Sequence, residues 1–151
     1  MSLLYCALYI AAIGVTSHFI GNAFPRRWFH PEKYPYRSAN WEREGQIYIR
    51  LGVRRWKDKV PDMSKVCGDM VRKEVVTRPT AESLRVLIRE SCVAECVHVL
   101  LAFFSLPVVF LWPGIGGWIV WVLCVMGNLV FVVIQRYNRP RLQKMLRRLE
   151  K

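Results

Sequence analysis

The stretch CVHVLLAFFSLPVVFLWPGIGGWIVWVLCVMGNLVFVVIQ, residues 96–135, contains no Asp, Glu, Lys or Arg. A second charge-free run covers Met1 to Phe24, so all such residues fall between 25 and 95 or beyond 135. A soluble amphipathic helix interleaves charges along its length, whereas a bilayer core penalises a central Arg, Lys or Asp by roughly 2.5–3.5 kcal/mol. Uncharged runs of about 18 residues or more favour spanning helices over buried soluble ones. Pro113, Gly114, Gly116 and Gly117 break the longer run into a hairpin. The expectation is an all-α integral membrane protein, a single domain over 1–151, with spans at about 3–24, 96–112 and 118–134.

Orientation follows from the flanking charges. The first run has no positive region before it and is followed by Arg26 and Arg27, the pattern of a retained span rather than a secretory leader. The positive-inside rule then puts the N-terminus outside and residues 25–95 in the cytoplasm. The tail carrying Arg136, Arg139, Arg141, Lys144, Arg147, Arg148 and Lys151 belongs on that same cytoplasmic face of a cell membrane. Trp112, Trp118 and Trp121 fit an outer aromatic belt.

The net charge of +12 raises nucleic acid as a partner. The cations flank apolar runs, however, where each meets anionic headgroups at about 1 kcal/mol, so membrane lipid is expected and nucleic acid is not. Cys6, Cys67, Cys92, Cys96 and Cys124 make an odd set without paired metal spacing. At least three sit in apolar runs and read as small buried hydrophobes, with no disulfide framework, metal site or bound cofactor expected.

Two segments approach the membrane from the polar side. A helix should start near Pro79, capped by Thr77 or Thr80, show an amphipathic face through Leu84, Leu87, Ile88 and Ser91, and kink at Pro107. Between the first and second spans, Ile49, Val53, Trp56 and Val60 keep helical spacing. Arg50, Arg54 and Lys57 follow the same rhythm, suggesting a cytoplasmic interfacial helix that buries Trp56 and offers cations to phosphates. The alternation of Ile47, Ile49, Leu51 and Val53 also admits a strand.

Candidate chemistry gathers at the second and third spans. Glu90, Glu95 and His98 are the ionisable groups, apart from cysteines, between Arg89 and Arg136. Glu95 and His98 stand three apart on one helical face, where a carboxylate can orient an imidazole to draw a proton from a hydroxyl nucleophile. Glu-x-x-His metal sites need a second copy, absent here. Cys92 or Cys96 as a covalent acyl carrier lacks any activating neighbour in the sequence. Asn128, inside the third span, needs a partner, ordinarily an interhelical one. The run Arg136-Tyr137-Asn138-Arg139-Pro140-Arg141 concentrates guanidiniums suited to phosphates, such as those of an acyl-CoA or an anionic phospholipid.

Three pieces of sequence go further: Val53-Arg54-Arg55-Trp56-Lys57-Asp58-Lys59 with Asp62; Glu90 followed by Ala94-Glu95 and His98; and Asn128 with Ile134-Gln135-Arg136-Tyr137-Asn138-Arg139-Pro140-Arg141-Leu142. Together, over residues 24–149, they resemble the glycosyl-4,4'-diaponeurosporenoate acyltransferase family, membrane enzymes that finish staphyloxanthin-type carotenoids. The resemblance implies transfer of a fatty acyl chain to a sugar hydroxyl of a glycosylated terpenoid, with an acyl thioester as co-substrate. Val93 stands where the family has Arg and Val99 where it has Trp, departures that bear on the acceptor more than on the reaction.

From the chemistry of the residues, His98 oriented by Glu95 is the expected base. Arg54, Lys57, Arg136, Arg139 and Arg141 would hold donor phosphates or stabilise the oxyanion. Tyr137 and Asn138 would bond the carbonyl or sugar, and Trp56, Glu90 and Asn128 complete the substrate-binding set. The rival from another class is a non-catalytic membrane module binding anionic lipid. Three spans make a thin bundle, which a homodimer would thicken around a lipid pocket.

Overall fold

A computed structural model describes residues 1–60 and 79–151. Asp62, Cys67 and Thr77 lie outside the described residues. Among those described, the elements are helical: α1 (Ser2–Ala23), α2 (Gln46–Arg50), α3 (Val53–Trp56), α4 (Ala81–Phe104), α5 (Val108–Leu111) and α6 (Ile115–Leu149), with 3-10 turns at Arg26–Trp28, Asn40–Glu42 and Lys57–Lys59. Three stretches, Ser2–Ala23, Ala81–Leu111 and Ile115–Leu149, are long and apolar enough to cross a membrane. Only 6% of the apolar window in the first and in the third is buried, so their Leu, Val and Phe side chains face outward, as hydrocarbon solvent requires. This is a helical membrane protein.

The chain forms two compact units. The first combines Met1–Pro25 with Val93–Val133, and the second combines Arg26–Cys92 with Ile134–Lys151.

In the first unit α1 packs on α5. The Cys6 thiol faces the Val108 carbonyl at 3.8 Å, and the Tyr9 hydroxyl donates to the Phe104 carbonyl at 2.8 Å. Pro107 breaks the second span as anticipated. Without an N–H it cannot continue the ladder, and three-residue turns such as Val108 N–H to Ser105 O at 3.2 Å carry the chain into α5. The hairpin to α6 turns at Gly114 (φ +94). A Cβ at Gly116 would sit 2.3 Å from the Trp112 ring, so only glycine lets the indole fold back there.

In the second unit Phe29, Tyr48, Val53, Leu84, Ile88, Cys92 and Tyr137 are buried. The start of α4 is capped reciprocally: Thr80 Oγ1 accepts the Ser83 N–H at 3.1 Å and Ser83 Oγ accepts the Thr80 N–H at 3.0 Å. Thr80 therefore fills the expected capping role. The basic tail is not a loose flank, because α6 runs through it to Leu149 despite Pro140.

The interfacial helix expected around Trp56 is corrected by the structure. Gly52 adopts φ +68 and separates α2 from α3, so Ile49 and Val53 do not share one stripe. Val53 is fully buried while Ile49 is 43% exposed. The alternative of a strand is also overturned, since Ile47 and Ile49 lie in α2.

Candidate functional site

The polar centre of the first unit is His98. Its Nδ1 lies 2.9 Å from Asn128 Oδ1, and its ring stacks on Phe131 with centroids 4.4 Å apart and planes 4° from parallel. Asn128 Nδ2 donates to the Cys124 carbonyl at 2.9 Å, which assigns the amide orientation and leaves Oδ1 toward the imidazole. An oxygen can only accept, so this geometry favours the tautomer with the proton on Nδ1, in which the lone pair of the uncharged ring lies on Nε2. Asn128 thus has the interhelical partner that an amide in hydrocarbon requires. Glu95, one turn before His98, is 5% exposed.

The second unit holds a network that sequence reasoning did not foresee. Glu42, 1% exposed, accepts from Arg136 Nε at 2.5 Å and Nη2 at 2.9 Å, from the Ala39 N–H at 2.6 Å, and from the Tyr48 hydroxyl. Burial alone would raise the Glu42 pKa. The bonds from Arg136, Tyr48 and Ala39, with the Arg136 charge, outweigh it and hold the carboxyl down at about 2. Burial and the adjoining carboxylate together raise the Tyr48 phenol. Arg136 also donates to the Pro35 and Arg37 carbonyls, at 3.1 and 3.4 Å. No motif marks Glu42, an acid in a polar stretch 94 positions from its partner.

Arg139 is 2% exposed and donates to three internal acceptors, Ser91 Oγ at 2.8 Å, the Ser91 carbonyl at 2.9 Å and the Tyr36 carbonyl at 2.7 Å, with the Tyr36 ring 5.5 Å from its guanidinium. Arg141 lies over the Tyr137 ring at 4.9 Å and donates to its hydroxyl. Glu90 takes a two-pronged bond from Arg26 at 2.7 and 3.1 Å. Trp56 donates to the Leu51 carbonyl at 3.2 Å, Lys57 pairs with Asp58 at 2.7 Å, Arg54 is exposed and Asn138 half-buried. Glu42, Arg136, Tyr48, Arg139 and Ser91 are thus brought together in one unit, and His98 with Asn128 in the other. Among the described residues no cluster of metal-ligating side chains occurs.

Fold and polar centres define a class, a multi-span helical membrane protein with an oriented imidazole in its apolar part. The family model of glycosyl-4,4'-diaponeurosporenoate acyltransferase matches residues 25–148, and the chain belongs to that family of acyltransferases. Curated relatives named glycosyl-4,4'-diaponeurosporenoate acyltransferase in Staphylococcus aureus strains MRSA252, bovine RF122 / ET3-1 and USA300 are each 25% identical over 150 residues. Each alignment covers 97% of this chain and 89% of the relative. No solved structure matches it.

Proposed function

We propose that this acyltransferase moves a fatty acyl group from an acyl thioester, such as an acyl-CoA, to a sugar hydroxyl of a glycosylated carotenoid or similar glycolipid, with His98 as the general base. The acceptor class comes from the names of the relatives. One observation carries the catalytic assignment: the Asn128 amide, tied back to Cys124, presents its oxygen to Nδ1 and so favours the Nδ1–H tautomer. Nε2 then takes the proton of the sugar hydroxyl as its oxygen attacks the thioester carbonyl. The C–S bond breaks, and the imidazolium returns the proton to the departing thiolate. Glu95 supports the base from the preceding turn.

Arg54, Lys57 and Arg141 present cations to phosphates of the donor or of the lipid surface, and Tyr137 and Asn138 offer hydrogen bonds to acceptor or carbonyl. Arg136, Arg139 and Glu90 act on the site indirectly, holding the backbone around it through internal pairs, and Trp56 anchors its segment at the membrane. The charges flanking the spans support an outside N-terminus and a cytoplasmic C-terminus.

Labelled acyl-CoA and glycosylated carotenoid, incubated with the purified protein in lipid, test the reading. His98→Ala should lower transfer by about 10²–10⁴-fold with helicity unchanged. Full transfer by both His98→Ala and Glu95→Gln would remove the catalytic assignment.

A further inference from the structure

The second unit contains a cavity of about 470 Å³ that none of the roles above uses. That volume lies within the roughly 300–1,000 Å³ typical of small-molecule sites. Five guanidiniums, from Arg26, Arg27, Arg85, Arg89 and Arg147, line it with His30, against the carboxylates of Glu32 and Glu150. Both carboxylates are occupied: Glu150 pairs with Arg85 at 2.7 Å, and Glu32 accepts from Gln143 at 2.8 Å. Arg26 is held by Glu90.

Arg27, Arg89 and Arg147 remain. Among the described residues none of the three has a side-chain hydrogen bond or ion pair, and all are exposed. They come from three elements, the Arg26–Trp28 turn, α4 and α6, and folding alone brings them to one concavity. Five guanidiniums facing two carboxylates leave the cavity with an excess of positive charge, which an anion with several oxygens would offset. Guanidiniums match phosphate geometry in two-pronged fashion. Phe29, Ile88 and Leu146 add an apolar wall, so the cavity suits a phosphate ester attached to a less polar body better than inorganic phosphate.

We propose that this cavity binds a phosphate-ester anion through Arg27, Arg89 and Arg147, and that the ester is the phosphorylated head of the coenzyme A thioester donor. The choice of donor rests on the acyl-transfer reading, whereas the phosphate site rests on the cavity. An anionic phospholipid headgroup carries the same chemistry, and the two sources are separable.

The full chain in phosphatidylcholine nanodiscs is titrated with coenzyme A in one arm. In the other, phosphatidylglycerol retained in a neutral detergent is counted by native mass spectrometry. Each of Arg27→Gln, Arg89→Gln and Arg147→Gln should weaken the binding by about 10-fold, and the triple variant by about 100-fold or more. Arg147→Lys, which keeps the charge and loses the fork, should lose less and controls for folding.

Weakening in the coenzyme A arm seats the donor here. Weakening confined to the phosphatidylglycerol arm keeps the phosphate site and overturns the donor. Parent-like binding in both arms by the triple variant overturns the proposal. Since binding is read without turnover, His98→Ala protein should titrate as the parent does, so a failed catalytic assignment and a failed phosphate site give different results.

Discussion

In the unit of Met1–Pro25 and Val93–Val133 the hydroxyls of Ser17 and Ser105 each bond a carbonyl three residues back, those of Gly14 and Ala102, and close approach is won by small residues. A Cβ at Gly21 would already lie 3.1 Å from Val97. In the unit of Arg26–Cys92 and Ile134–Lys151, by contrast, Arg136 and Arg139 reach partners 48 to 103 positions away and hold three carbonyls of the 35–37 segment. The difference teaches where order comes from. In hydrocarbon no water waits to take a polar atom, so the few present bond a carbonyl one turn back or a single partner on the next helix, and the helices otherwise meet through van der Waals contact. A polar segment with little regular structure is ordered instead by buried charges that need their partners.

Breaking the polar side should have the larger effect on structure. Glu42→Ala leaves the Arg136 guanidinium facing carbonyls without its carboxylate, and removal of one member of a buried pair costs about 3–5 kcal/mol. Amide hydrogen exchange over residues 35–50 should accelerate by at least about 100-fold, with α1 amides unchanged. Equal acceleration in both units would mean that they are not held by separate means.

Acid probes the same carboxylate more gently. The Glu42 pKa is depressed from 4.5 to about 2, so its contribution is fully present above the unfolded value and is lost as pH falls from about 4.5 toward 2. Protection of the 35–50 amides should decline across that window by up to about 3 kcal/mol, and Glu42→Gln should abolish the pH dependence.

On the membrane side the expected effect is on rate. Asn128→Ala frees the imidazole to take either tautomer, and acyl transfer should fall by about 10–100-fold with little change in exchange anywhere. Asn128→Asp, which still accepts from Nδ1–H, should retain more activity than alanine. Equal activity in the two variants would remove the orienting role.

Much of this was legible beforehand. The three spans, the break at Pro107 and the Thr80 cap follow from local rules about charge in hydrocarbon, a missing N–H and orphan helix donors. The pairing of His98 with Asn128 was half legible: two polar residues in one charge-free run each need a partner, but no periodicity says they meet. Around Trp56 the helical spacing misled, since Gly52 takes a left-handed conformation that a count of apolar intervals does not see. The Glu42 cluster left no trace in the sequence, because an acid near a loop and an arginine past a span look like solvated charges until folding buries them.

Sequence alone determined that the chain lies in a membrane, how many times it can cross, and the family to which it belongs, for these rest on transfer free energies and residue order. Tertiary structure decided which arginines are spent on the protein and which are left for a ligand, because a guanidinium's role depends on what stands within 3 Å of it. Arg136 and Arg139 differ from Arg89 and Arg147 in no intrinsic property. Only the carboxylate and carbonyls folded against the first pair set them apart.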